Sequence, residues 1–223
     1  MNGVAAALLT NLTASMRFDG SLNVDLNEIV TNLVPFPRMH YVCSGLSPVP
    51  MAASAARAAG SVMGTRGIDQ MFTDAVLARD HQLLSLEPRA HAVLACGLLA
   101  RGRRVRVSDI NRNVARLRRA LRVAHWNEDG FKVGLCAVPP AGHDDALLCL
   151  SNNCGIGLVL AELQRRFTRF YRRKAHVHHY TQYTEASTFD TAAESITAVI
   201  SDYANVDRRQ KQGDGTSATA GEG

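Results

Sequence analysis

The chain has 223 residues, 46% of them hydrophobic, enough to bury a core as one domain or two small ones. No apolar run approaches the roughly 18 residues that span a bilayer, and the start lacks the basic flank and cleavage site of a signal peptide, so the Asn11-Leu12-Thr13 sequon is expected to be idle. The net charge of +5 and pI near 9.2 raise nucleic acid as a partner, but no aromatic residues are interleaved with the arginines; a solvated helix face is the plainer reading, and an acidic protein surface would fit them as well as phosphates.

Val4, Leu8 and Leu12 recur every four residues and predict a helix to about residue 15. The string Arg17-Phe18-Asp19-Gly20-Ser21-Leu22-Asn23 then makes a glycine turn into a second helix over 23–34. Asn23 is its expected N-cap, and Asp25 sits where the helix dipole favours a carboxylate. Leu26, Ile29, Val30 and Leu33 share one face; Asp25 and Glu28, three apart, share another. Pro35 stops the helix and Pro37 keeps the chain extended into a strand over 39–46. Paired carboxylates at this spacing are, by themselves, usually a solvated surface.

Residues 48–67, rich in Ala, Gly, Ser and Met, read as a long mobile loop, with a marginal helical turn as the alternative. Ile68, Phe72 and Val76 predict a short helix over 69–78, and 90–99 reads as a buried strand, with helix left open by its alanine content. Ser108 is the expected cap of a helix burying Ile110, Val114, Leu117 and Leu121. The arginines of the 101–122 cluster are expected on its solvent side. Residues 122–126 and 131–138 read as two strands joined across Asn127-Glu128-Asp129-Gly130, and 146–150 as a further strand.

After Asn153 the pattern becomes helical: Ile156, Leu160, Leu163, Phe167 and Phe170 mark one long helix, and Phe189, Ile196, Val199, Ile200 and Tyr203 a second. Residues 208–223 lack apolar anchors and are expected to be disordered. Cys43, Cys96, Cys136, Cys149 and Cys154 include no Cys-x-x-Cys and read as free thiols of a cytosolic protein. His176, His178 and His179 lack acidic or thiol neighbours at ligand spacing, so no metal is expected. No glycine-rich phosphate loop, nucleophile elbow or dinucleotide fingerprint occurs.

The order of these elements, with Arg17-Phe18-Asp19-Gly20 through Pro37, Trp126, Phe131-Lys132-Val133-Gly134, Leu150-Ser151-Asn152 and Lys174-Ala175-x-Val177-His178-x-Tyr180, resembles the tubulin family from Met1 to about Asp207. Asp69-Gln70-Met71-Phe72, Asp80-His81-Gln82-Leu83-Leu84, Val138-Pro139-Pro140-x-Gly142-His143 and His178-His179-Tyr180 are most similar to its epsilon class. The resemblance implies a mixed α/β fold: the end of the central core helix over 1–20, an intermediate domain over 21–153 with a mixed sheet flanked by helices, a C-terminal helical hairpin over 154–207, and a disordered tail. It implies a subunit truncated at its N-terminus, Met1-Asn2 matching an internal Met-Asn of the core helix.

The implied chemistry is GTP hydrolysis in trans. Glu28 would polarise the attacking water and Asp25 help position it, on a loop shaped by Gly20 and Asn23, against GTP held by the neighbouring subunit. Asn2 falls on the asparagine that contacts guanine, leaving the chain's own GTP site incomplete, so it is not a self-contained enzyme. The implied partners are other tubulin subunits, and the implied place is the cytoplasm and its cytoskeleton, at centrioles or basal bodies. Two features depart from ordinary tubulins: the nearly neutral tail in place of an acidic one, and Thr181-Gln182-Tyr183-Thr184 where an acidic loop leads into the last helix. The rival readings are an Arg-rich module for nucleic acid or acidic proteins, and a non-functional truncated product.

Overall fold

Residues Val93 to Ala100 are apolar or small without a break, the pattern of a strand covered on both faces. In a computed structural model, which describes residues 2–49 and 65–219, all ten residues of that strand are buried. The chain divides into two compact units, Met1–Asn153 and Cys154–Gly223.

The first unit contains, in order, helices α1 (Asn2–Leu12), α2 (Ala14–Arg17) and α3 (Leu26–Leu33), strand β1 (Cys43–Ser47), α4 (Thr65–Leu77), β2 (Val93–Gly102), α5 (Val107–Ala120), β3 (Phe131–Cys136) and β4 (Asp145–Asn153). The sheet order is β1-β4-β2-β3; β4 is antiparallel to both neighbours and β2 runs parallel to β3, so the sheet is mixed. Alternation along β2 sends Cys96, Leu98 and Ala100 into a cluster with Phe72 and Val76 of α4 and Ile110 and Leu117 of α5. Ala95 and Leu99 face the opposite cluster with Ile29 and Leu33 of α3, and Leu8 and Leu12 of α1 pack against it. Each fully buried leucine contributes about 1.5–3 kcal/mol.

Several expectations need correction. The segment 122–126 is not a strand: Val123 makes one parallel bridge to Val93, and the chain turns through a 3-10 stretch, His125–Asn127. The Asn127 side chain causes the turn, donating to the Leu94 carbonyl at 2.8 Å. β3 therefore pairs in parallel with β2 instead of closing a hairpin on its predecessor. Helix α5 is capped at Arg106, not Ser108; the Asp109 carboxylate accepts the Arg106 backbone N–H at 3.2 Å.

The arginines on α5 are not all idle either. Arg112 donates to Asp69 at 2.7 Å and to Asp109 at 2.9 Å, while Arg116 reaches the Asp69 carbonyl at 2.8 Å and Thr73 at 2.9 Å, tying α5 to α4. Arg101 is 3% exposed, its guanidinium donating to the carbonyls of Val138 and Pro139 and to Asn11. The loop expected over 48–67 falls mainly on 50–64, outside the described residues, and 65–67 already belong to α4.

The second unit contains α6 (Ile156–Arg172), the short α7 (Val177–Tyr180) and α8 (Ser187–Thr219). α6 and α8 pack on each other through the rings of Phe167, Tyr171 and Phe189, with centroids 5.4–6.4 Å apart. Gln164 of α6 adds a hydrogen bond to Thr197 of α8. α8 is assigned as far as Thr219, over residues the composition reads as disordered; a Lys211–Asp207 pair at 2.8 Å spans one turn at 207–211. All five cysteines are free and buried.

Candidate functional site

β3 is an edge strand, and an open edge needs cover. The segment before α3 supplies it: the Leu22 N–H donates to the Leu135 carbonyl at 3.4 Å and the Leu135 N–H to the Leu22 carbonyl at 2.9 Å. Gly20 permits this approach, since a Cβ there would sit on the Leu135 carbonyl oxygen and 3.0 Å from the Cys136 Cα. Val24 then buries its side chain, and the chain enters α3.

The N-cap of α3 is Asp25, not Asn23. Asp25 has extended backbone, φ −93° and ψ 171°, and its Oδ1 accepts the Glu28 N–H at 2.6 Å. Asn23 stays exposed in the stitched segment before the helix. The cap fixes the backbone of Glu28, and Lys132 of β3 fixes its carboxylate through an ion pair of Nζ with Oε1. The Glu28 side chain remains 41% exposed. Gly20, Asn23, Asp25 and Glu28 thus gather on one loop and helix turn against β3. Asn2 lies elsewhere, exposed at the start of α1.

Local sequence reading missed two residues. Lys132 was visible only as part of a strand; its role depends on β3 being the edge next to α3. Asn152 is fully buried on β4 and donates to the carbonyls of Leu33 at 2.9 Å and Met39 at 2.7 Å, clamping the exit of α3. A polar residue ending an apolar strand is its only local signal.

The apolar stripe of α3 is narrower than its periodicity suggests. Ile29 and Leu33 are buried, whereas Leu26 and Val30 are exposed, Val30 by 58%. An eight-residue helix turns one stripe to the sheet and leaves its flanks open. Phe36 and Trp126, also exposed, stack edge to face at 5.6 Å. Glu28 therefore stands on a helix with exposed apolar flanks, a pattern typical of surfaces that become covered.

Chemically, the arrangement offers an exposed, oriented carboxylate that can accept a hydrogen bond or a proton from water. Glu28 and Asp25, both carboxylates, would repel a phosphate rather than cradle it. Among the described residues no group of three His, Cys, Asp or Glu side chains could hold a metal. His178 and His179 pack on each other at 4.0 Å.

Residues 37–165 match the family model described as the tubulin C-terminal domain. The chain is 47% identical over 209 residues to the tubulin epsilon chain of Mus musculus and 46% identical to that of Homo sapiens, each match covering 93% of this chain and 42% of the relative. A tubulin alpha chain of Pneumocystis carinii is 38% identical over 190 residues, covering 81% of this chain and 86% of the relative. The chain spans less than half the length of the two epsilon relatives.

Proposed function

The chain belongs to the tubulin family, and from that premise we propose that it acts as part of an epsilon-type cytoskeletal subunit that completes a GTPase site on the subunit next to it. The observation that carries this reading is the setting of Glu28: backbone fixed by the Asp25 cap, carboxylate held by Lys132, side chain open to solvent on a helix with exposed apolar flanks. A neighbouring tubulin subunit covering those flanks would bring its own GTP to Glu28. Glu28 then orients the attacking water and takes its proton, and Asp25 keeps the helix turn in place. Gly20 and Asn23 shape the loop that presents both. Asn2 is the chain's own contribution to a guanine site that needs further residues. The similarity to epsilon chains supports a place at centrioles or basal bodies, in the organisation of their microtubules.

The test is single-turnover GTP hydrolysis in assemblies of a subunit carrying this sequence. Glu28→Ala is expected to slow hydrolysis by about a hundredfold and to leave GTP binding unchanged. An unchanged rate in assembled material would reduce Glu28 to a surface carboxylate.

A further inference from the structure

Arginine is concentrated on one side of α6. A shallow groove of about 500 Å³ is lined by Ala161, Gln164 and Thr168 and bordered by Arg165, Arg169, Arg172 and Arg173, all four arginines exposed. The helix has a single carboxylate, Glu162, which pairs with Arg165 and, at 2.8 Å, with Arg166. Arg169, Arg172 and Arg173 pair with no carboxylate among the described residues. Like charges three and four residues apart destabilise a helix by a few tenths of a kcal/mol per pair. Glu162 offsets this at Arg165 and the helix dipole partly offsets it at Arg169 and Arg172 in the last turn, but no carboxylate of the helix pairs with those two or with Arg173.

We propose that this groove binds an extended acidic peptide segment of a partner protein, with carboxylates on alternate residues. The spacing argues for it. Arg165, Arg169 and Arg173 recur every four residues, about 6 Å along the helix, and same-side residues of an extended chain recur about every 6.6 Å. Guanidinium forks suit carboxylates in a bidentate fit, and the small floor of Ala161 and Thr168 lets a backbone lie between them. A nucleic-acid strand is the weaker match, because no aromatic ring lines the groove to stack a base. This surface lies wholly within the second unit and does not depend on the role of Glu28.

The experiment is fluorescence anisotropy on the full chain with a labelled peptide alternating glutamate and glycine. The comparison ligands are the isomer with its glutamates in one block and a single-stranded oligonucleotide of equal charge. The alternating peptide is expected to bind more tightly than either. The triple variant Arg165→Gln, Arg169→Gln and Arg173→Gln should weaken it at least about tenfold, while Arg103→Gln, Arg118→Gln and Arg119→Gln together leave it unchanged. Thr168→Glu, which places a carboxylate on the groove floor, should weaken binding without removing any arginine, and it decides the matter if the triple variant does not fold. No binding of the alternating peptide, tighter binding of the oligonucleotide or the block isomer, or equal loss in both triple variants would overturn the proposal.

Discussion

Gly20 and Lys132 both act at the edge formed by β3, one by having no side chain and one by having a long charged one. Gly20→Ala would press a methyl group into the Leu135 carbonyl and lift the loop off β3, losing the Leu22–Leu135 bonds. A destabilisation of about 1–3 kcal/mol is expected in urea unfolding of the chain. Lys132→Met should behave differently. A partly exposed ion pair is worth about 1 kcal/mol or less, so the unfolding midpoint should barely move, whereas hydrolysis in assemblies should slow because Glu28 loses its orientation. Arg101→Met, read from sequence as one member of an exposed run, strips the Val138 and Pro139 carbonyls and the Asn11 side chain of their donor. It should cost about 2 kcal/mol or more.

At the scale of elements, α4 and α5 are joined by polar contacts as well as by core. Asp69 is the hub. Burial alone would raise its pKa, but hydrogen bonds from Arg112 and Asn113 and the charges of Arg112 and Arg116 outweigh that and hold it below the ordinary value of 3.8. A carboxylate depressed in the folded state stabilises the fold above its unfolded pKa, and that contribution is lost as pH falls through the lower, folded pKa. Asp69→Asn should therefore lower the melting temperature at neutral pH, with the gap to wild type closing in acid. Replacing Arg112 and Arg116 with Gln should lower the unfolding midpoint by only a small amount, since the bonds of both to α4 are exposed to solvent, and Arg119→Gln should leave it almost unchanged.

The elements themselves were largely legible: the unbroken apolar run of β2, the four-residue stripe of α5 and the long periods of α6 and α8 each follow from what they bury. What was not legible depends on pairings distant in sequence. Asn23 and Asp25 both carry a capping oxygen, and the bonds of Leu22 to Leu135 with the burial of Val24 hold Asn23 in the segment along β3, before the helix begins. Trp126 looked like part of a strand because the Asn127–Leu94 bond that turns the chain has no local signature. The role proposed for Glu28 comes from the resemblance, and its ion pair with Lys132 only from the fold.

For the whole molecule, burial controls cysteine chemistry. Burial, with the neighbouring Cys149 adding to it, pushes the Cys43 thiol up to about 11, and burial with Asp207 pushes Cys154 up to about 12. All five thiols should resist a maleimide at neutral pH and react together once the chain is denatured. The chain by itself should show no stoichiometric GTP binding in isothermal titration, since its sequence contains no glycine-rich phosphate loop. The central claim is that Glu28 acts on a neighbour's nucleotide. The direct measurement loads labelled GTP either on the partner subunit or on the subunit carrying this sequence, then follows one turnover after assembly with Glu28→Ala. The account predicts that only the partner's GTP, the one facing the mutated helix, is hydrolysed slowly. Slowing confined to the nucleotide of the mutated subunit itself, or no slowing in either, would contradict it.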